Sequence, residues 1–239
     1  MLHRLHKWLD GIGERVNLVL VAALVFVLAL WGFVVIADKI RGGHTPRFDD
    51  WALRALRQPN DPSKLIGPDW LAEAARDITA LGGETVLGLG TLAVVGFLFL
   101  RQKYGTMWLV IVAMSGGFVL NMLLKFAVHR ERPRVVPYLS MLPATPSFPS
   151  GHSMLAATVY LTLGAILAHV VEKKRLKLYF VALAVLLSFL VGVSRVYMGV
   201  HWPTDVIAGW AAGLCWAILC WMLARWLQLH GAVEPEEKA

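Results

Sequence analysis

Six apolar windows dominate this chain, at about 17–37, 82–100, 106–128, 153–171, 178–197 and 204–229. A helix needs roughly 20 mostly apolar residues to cross a bilayer. The windows therefore predict an all-α bundle of six transmembrane helices, with residues 1–239 forming a single integral membrane domain. Composition agrees, since 57% of the residues are hydrophobic and the mean hydropathy is +0.60, too apolar for an ordinary soluble domain. Trp8, Trp31, Trp108, Trp202 and Trp226 lie near window ends, where indoles form an interfacial belt. The first window has no small-residue cleavage site after it, so it reads as a retained helix and not a signal peptide.

A formal net charge of +7 would suggest nucleic acid in a soluble protein. Here the excess is assigned to the positive-inside rule and to anionic headgroups, and no nucleic-acid partner is expected. The basic N-terminus (Arg4, Lys7, Arg15) and the short linkers "RQKYG" and "EKKRLK" fall on one side of a six-span chain. That side is read as the cytoplasm of a cell-membrane protein, which puts both termini there. The stretch 38–81 is long and carries seven Lys and Arg against seven Asp and Glu, so it weighs little in that count. It is read as an extracytoplasmic insert between spans 1 and 2. Pro46, Pro59, Pro62 and Pro68 punctuate it, and "FDDWALRALR" and "DWLAEAARDITAL" have helical periodicity. These two helices either lie on the bilayer surface or pack together as a small cap. Residues 106–229 form the expected catalytic core, and 230–239 ("EPEEKA" at its end) a flexible cytoplasmic tail. Cys215 and Cys220, five residues apart on one helix, point to different faces and form no disulfide. Gly209 and Gly213, and Ser115-Gly116-Gly117, are sites where helices can approach closely. Nothing in the sequence sets an oligomeric state.

Three polar clusters fall on the face opposite the basic linkers. "KFAVHRERP" leaves the third span, "PSGH" opens the fourth, and "SRVYMGVHWPTD" bridges the fifth and sixth. Each residue has an ordinary reading alone. Lys125 fits a snorkelling end-of-helix lysine; Arg130, Arg132 and Arg134 fit headgroup contacts; His152 and Asp205 fit helix caps; His201 with Trp202 fits an interfacial pair. Their convergence at one depth does not.

The chemistry of the set is that of an oxyanion site. Lys125, Arg132 and Arg195 supply only cationic donors, Ser150 a hydroxyl, and Gly151 a backbone N–H that a side chain would block. The dipole of the fourth helix points there too. A phosphate fits best. Of the two histidines, His152 and His201, one can attack phosphorus while the other protonates the leaving oxygen. Asp205, four residues beyond His201, can hold that imidazole in the attacking tautomer. Between Lys125 and Asp205 the outward segments hold only Glu131 and Asp205 as acids. A magnesium site usually needs carboxylates in company, so no metal and no cofactor are expected.

Lys125 with Arg132-Pro133, then Pro149-Ser150-Gly151-His152, then Ser194-Arg195 with His201 and Asp205, resemble the three motifs of the type 2 phosphatidic acid phosphatase family, the lipid phosphate phosphatases. No motif position departs from the pattern. The motifs cover about a third of the chain, and the six-span layout extends the likeness to nearly all of it. The resemblance implies that His201 is a nucleophile forming a phosphohistidine and that Asp205 orients it. It implies that His152 is the general acid, and that Lys125, Arg132, Ser150, Gly151 and Arg195 bind the phosphoryl oxygens. Pro133 and Pro149 are expected to set loop geometry. His129, Arg130 and Arg134 lie outside the motifs and are read as shaping headgroup preference or simply meeting lipid. The substrates implied are membrane lipid phosphates: undecaprenyl pyrophosphate, phosphatidylglycerophosphate or phosphatidic acid. Two rival functions stand beside hydrolysis. One is a phosphotransferase that passes the same intermediate to a lipid or glycan. The other is a transporter of anionic lipids, whose ionisable residues should lie deep within the helices. Here they cluster at helix ends, apart from Asn121 on the face of Lys125.

Overall fold

A computed structural model of the chain describes residues 2–43, 47–139 and 144–231. Most of the tail 230–239, together with Pro46, lies outside the described residues. Eight helices follow one another: α1 (Leu2–Arg41), α2 (Arg47–Ala55), α3 (Asp69–Ala80), α4 (Glu84–Leu100), α5 (Tyr104–Val128), α6 (Gly151–Val170), α7 (Lys174–Tyr197) and α8 (Pro203–Leu229). Five are long and apolar enough to cross a membrane, through Val19–Arg41, Tyr104–Val128, Gly151–Ala168, Lys174–Tyr197 and Pro203–Gln228. The window at 82–100 becomes α4, only 17 residues long. It continues α3 across a 43° bend at Leu81-Gly82-Gly83, and the count reaches six when this bent pair is one span.

The insert is not purely helical. Between α2 and α3 the chain forms a two-stranded antiparallel ribbon, β1 (Arg57–Gln58) and β2 (Asp61–Leu65). Two prolines and the Asn60-Asp61 pair break helical periodicity here and leave a turn flanked by very short strands, too short to show alternation. The two amphipathic patterns do form helices, α2 and α3. α2 is not a free surface helix, because Leu53 is fully buried against Val136 and Trp202.

Small residues hold the bundle together, as expected where lipid removes the usual hydrophobic drive between helices. A side chain at Gly209 would meet the Ser150 carbonyl at 2.8 Å, and one at Gly213 would collide with the Met154 carbonyl, so α8 lies directly on α6. Gly116 leaves room for the Trp216 ring, whose Nε1 donates to the Ala113 carbonyl at 2.7 Å. On α1, Val21, Leu24, Val27, Leu28 and Trp31 are exposed, as a lipid-facing surface requires. Cys215 and Cys220 are free thiols.

The ends of α1, α5 and α7 and the starts of α4, α6 and α8 gather at one end of the bundle. There Phe148 is fully buried with Ile40 and Ala208, against Phe33, Ile36 and Val128. This plug ties α1 to the loop that carries the site.

Candidate active site

Each cluster owes its placement to a helix end. α5 stops at His129, whose left-handed backbone (φ 48°) caps the helix by donating its N–H to the Lys125 carbonyl. The chain then turns, and Arg130 and Arg132 run back over the bundle end. α6 starts at Ser150, whose Oγ accepts from the Ser153 backbone N–H at 3.4 Å and from the Ser153 hydroxyl at 2.9 Å. The Ser150 N–H in turn donates to the Asp205 carbonyl at 3.0 Å, joining the starts of α6 and α8. α7 ends in a turn at Gly199 (φ +76°), where a side chain would also strike the Arg57 guanidinium. Two residues on comes His201. α8 opens with Pro203, and the Asp205 carboxylate reaches back to accept the Trp202 N–H at 3.0 Å.

His201, 2% exposed, is the centre of the arrangement. Its Nδ1 faces Asp205 Oδ2 at 3.4 Å, and its Nε2 faces Arg132 Nη1 at 3.2 Å. A carboxylate only accepts, so the proton belongs on Nδ1 and the free lone pair on Nε2. Burial first, then the charges of Arg195, Arg132 and Lys125, hold this imidazole well below the usual histidine range. Both effects favour the neutral ring.

The cations converge on the same point. Arg132 is fixed by three further bonds, Nε to the Thr145 carbonyl (3.1 Å), Nη1 to the Val200 carbonyl (3.0 Å) and Nη2 to the Thr145 hydroxyl (3.5 Å). Burial lowers its pKa, yet a guanidinium of this kind stays charged. Lys125, 3% exposed, donates Nζ to the Pro146 carbonyl at 2.6 Å. Arg195, also 3% exposed, donates Nη1 to Thr79 Oγ1 at 3.0 Å, while its buried Nε has no partner among the described residues. Gly151 faces Asn121 Oδ1 and Lys125 Cε, 3.1 and 3.9 Å from where a side chain would begin. His152, in the first turn of α6, is half-buried. A cavity of about 300 Å³ beside Arg132 is lined by His129, Arg134, Tyr138, Thr145 and Pro146. The structure thus brings Lys125, Arg132, Ser150, Gly151, His152, Arg195, His201 and Asp205 to one end of the bundle.

Of the two readings of Arg130, lipid contact is excluded by its burial. It is 8% exposed, donates Nη1 to Asp205 Oδ1 at 2.6 Å and Nη2 to Asp49 Oδ2 at 2.7 Å, and lies 5.1 Å from the centre of the Trp202 ring. The cause is α2, which brings a fully buried carboxylate to the bundle end. Arg134 is exposed and pairs with Glu131 at 3.4 Å. Asp49 was not singled out in the sequence, though a signal exists: it lies four residues before Leu53, on the apolar face of α2, where a carboxylate needs a cationic partner.

A family model of the PAP2 superfamily matches residues 90–228, more than half of the chain. The chain belongs to the PAP2 superfamily. The chain is similar to the phosphatidylglycerophosphatase B of Bacillus subtilis strain 168, at 36% identity over 152 residues that span 63% of this chain and 73% of that protein. The crystal structure of a transmembrane PAP2 type phosphatidylglycerolphosphate phosphatase from Bacillus subtilis superposes with a TM-score of 0.71 at 30% identity, covering 84% of this chain and 96% of that one. The chain thus has the fold of a multi-pass PAP2 membrane protein. An undecaprenyl-diphosphatase of Sulfolobus acidocaldarius is 36% identical over 101 residues, and the PAP2 chain here spans 45% of its length.

Proposed function

We propose that this PAP2 protein is a lipid phosphatase that needs no metal and removes the terminal phosphate of a membrane lipid through a phosphohistidine. The observation that carries the reading is the pairing of His201, with Asp205 at its Nδ1 and Arg132 at its Nε2. In this reading Nε2 attacks phosphorus, the bond from phosphorus to the lipid oxygen breaks, and His152 gives its proton to that oxygen. Water then attacks the phosphohistidine, His152 takes a proton from it, and inorganic phosphate leaves. Because Nδ1 keeps its proton, the phosphorylated ring is cationic, and the Asp205 carboxylate offsets that charge. Lys125, Arg132 and Arg195, with Ser150 and Gly151 at the start of α6, carry the phosphoryl oxygens, whose charge grows in the transition state.

Substrate and orientation follow from likeness and charge. Two of the compared proteins are named for phosphatidylglycerophosphate and one for undecaprenyl diphosphate. Phosphatidylglycerophosphate is the first substrate to test, with undecaprenyl pyrophosphate and phosphatidic acid beside it. With the bent α3–α4 pair counted as one span there are six spans, and in this reading the positive-inside rule puts the basic linkers and both termini on the cytoplasmic side of the cell membrane. The insert and the site then face outward, with 106–229 as the catalytic core. The test is phosphate release from the three lipids in detergent with EDTA, by wild type and by His201→Ala. Release by wild type alone supports the reading, and no release from any of the three by folded wild type overturns it.

A further inference from the structure

We propose that Asp49 and Arg130 are positioning residues of this site, through which the insert fixes the carboxylate of Asp205 against His201. The inference rests on the proposed roles of His201 and Asp205, and it goes beyond the residues of the three motifs.

The network is buried and complete. Arg130 Nη1 donates to Asp205 Oδ1 (2.6 Å) and to the Thr204 hydroxyl (2.8 Å), while Nη2 donates to Asp49 Oδ2 (2.7 Å). Asp49 accepts twice more, from the Thr204 N–H at Oδ1 (2.9 Å) and from the Thr204 hydroxyl at Oδ2 (2.5 Å). Asp49 and Asp205 are fully buried, and the Arg130 side chain is 6% exposed.

Geometry separates this network from a simple staple for α2. A guanidinium is planar and rigid, so anchoring Nη2 on Asp49 also sets the direction of Nη1. The torsion that turns a carboxylate about its own axis is soft. Arg130 therefore decides which oxygen of Asp205 is left for His201: Oδ1 is occupied, and Oδ2 takes the Trp202 N–H and the imidazole. Charge points the same way. Two carboxylates share one guanidinium, so the group beside His201 carries a net negative charge, which suits a ring that becomes cationic when its Nε2 bonds to phosphorus. Asp49 comes from an element 81 residues before Arg130 and outside every motif.

The test is a double-mutant cycle on the full-length protein in detergent, with phosphatidylglycerophosphate as substrate and a melting curve for each variant. Asp49→Asn and Arg130→Lys are each measured alone and combined with Asp205→Asn. Both single variants should lower kcat by about 2- to 150-fold, the range of coupling within one hydrogen-bonded network, with KM little changed. In the Asp205→Asn background neither should lower it further, because each acts through Asp205. Should Arg130→Lys not fold, Thr204→Val probes the same network with no charge removed, and the same non-additivity is expected. Unchanged kcat, a change confined to KM, or losses that simply multiply with Asp205→Asn overturn the positioning role. His201→Ala, run alongside, separates the failures: an active His201→Ala sinks the nucleophile and the positioning role together, whereas an inactive one leaves the other outcomes to bear on positioning alone.

Discussion

Arg195 Nη1 donates a 3.0 Å hydrogen bond to the hydroxyl of Thr79, linking the last turn of α7 to the last turn of α3. The bend that follows α3 presses against the site as well. A side chain at Gly82 would meet the His152 carbonyl at 3.2 Å, and the Tyr160 hydroxyl donates to the Leu81 carbonyl at 2.8 Å. The α3–α4 elbow is therefore a wall of the site that holds one of its cations in place.

Thr79→Val keeps the shape of that wall and removes the acceptor. A hydrogen bond from a charged group contributes about 1.5–3 kcal/mol net, so kcat/KM should fall by about 10- to 150-fold at most. Thr79→Ser should restore it. Steady-state kinetics on the three proteins checks this, and equal activity of Thr79→Val and wild type counts against an anchoring role.

The depressed pKa of His201 sets the acid side of the pH profile. In the proposed mechanism the attacking imidazole must be neutral, and burial holds the value of His201 in the folded protein below the ordinary 6.5. The His201 acid limb of kcat/KM, which reports the free enzyme, should therefore appear below pH 6.5. Stability has the same sign. This histidine binds a proton more readily when unfolded, so its contribution is complete above pH 6.5 and is lost as the pH falls below it. Melting curves at pH 7 and pH 5 should show a larger drop for wild type than for His201→Gln.

Much of the site could be read from the sequence because it is carried by short, spaced motifs at helix ends. Lys125 and Arg132 are seven residues apart and His201 and Asp205 four, so local geometry nearly fixes each pair. The partners of the motifs were hidden. Asp49 reaches Arg130 across 81 residues, and Arg57 reaches Tyr197 across 140, from an insert whose proximity only the fold reveals. Arg130 is followed by two residues that do face outward, Glu131 and Arg134, and nothing local distinguishes it from them. The ribbon escaped notice because strands of two and five residues show no period.

Arg57 shows what the ribbon contributes. It is 4% exposed and donates to the Tyr197 carbonyl at 3.1 Å and the Pro137 carbonyl at 3.4 Å, while the Tyr197 hydroxyl returns a 2.8 Å bond to the Ile66 carbonyl. Arg57→Met fills similar space and leaves those carbonyls unpaired, at a cost of about 1–3 kcal/mol. A lower melting temperature in detergent is expected, with kcat less affected than by Arg130→Lys.

The contact between α6 and α8 predicts a packing variant. Gly213→Leu forces a side chain into the Met154 carbonyl and the Ala157 methyl. Overpacking of this kind costs about 1–3 kcal/mol. Gly96→Leu, at a helical position with open space around it, has no such collision and should cost less. Comparing the two melting temperatures checks that close packing sets the difference.

The most direct test of the account is to trap the intermediate. Wild type, His201→Ala and His152→Ala are mixed with lipid phosphate labelled in its terminal phosphate, quenched in alkali to spare an acid-labile phosphohistidine, and mapped by peptide. The account predicts label on the peptide that carries His201 in wild type, and none in His201→Ala. Label on another residue, or His201→Ala releasing phosphate as fast as wild type, would contradict it.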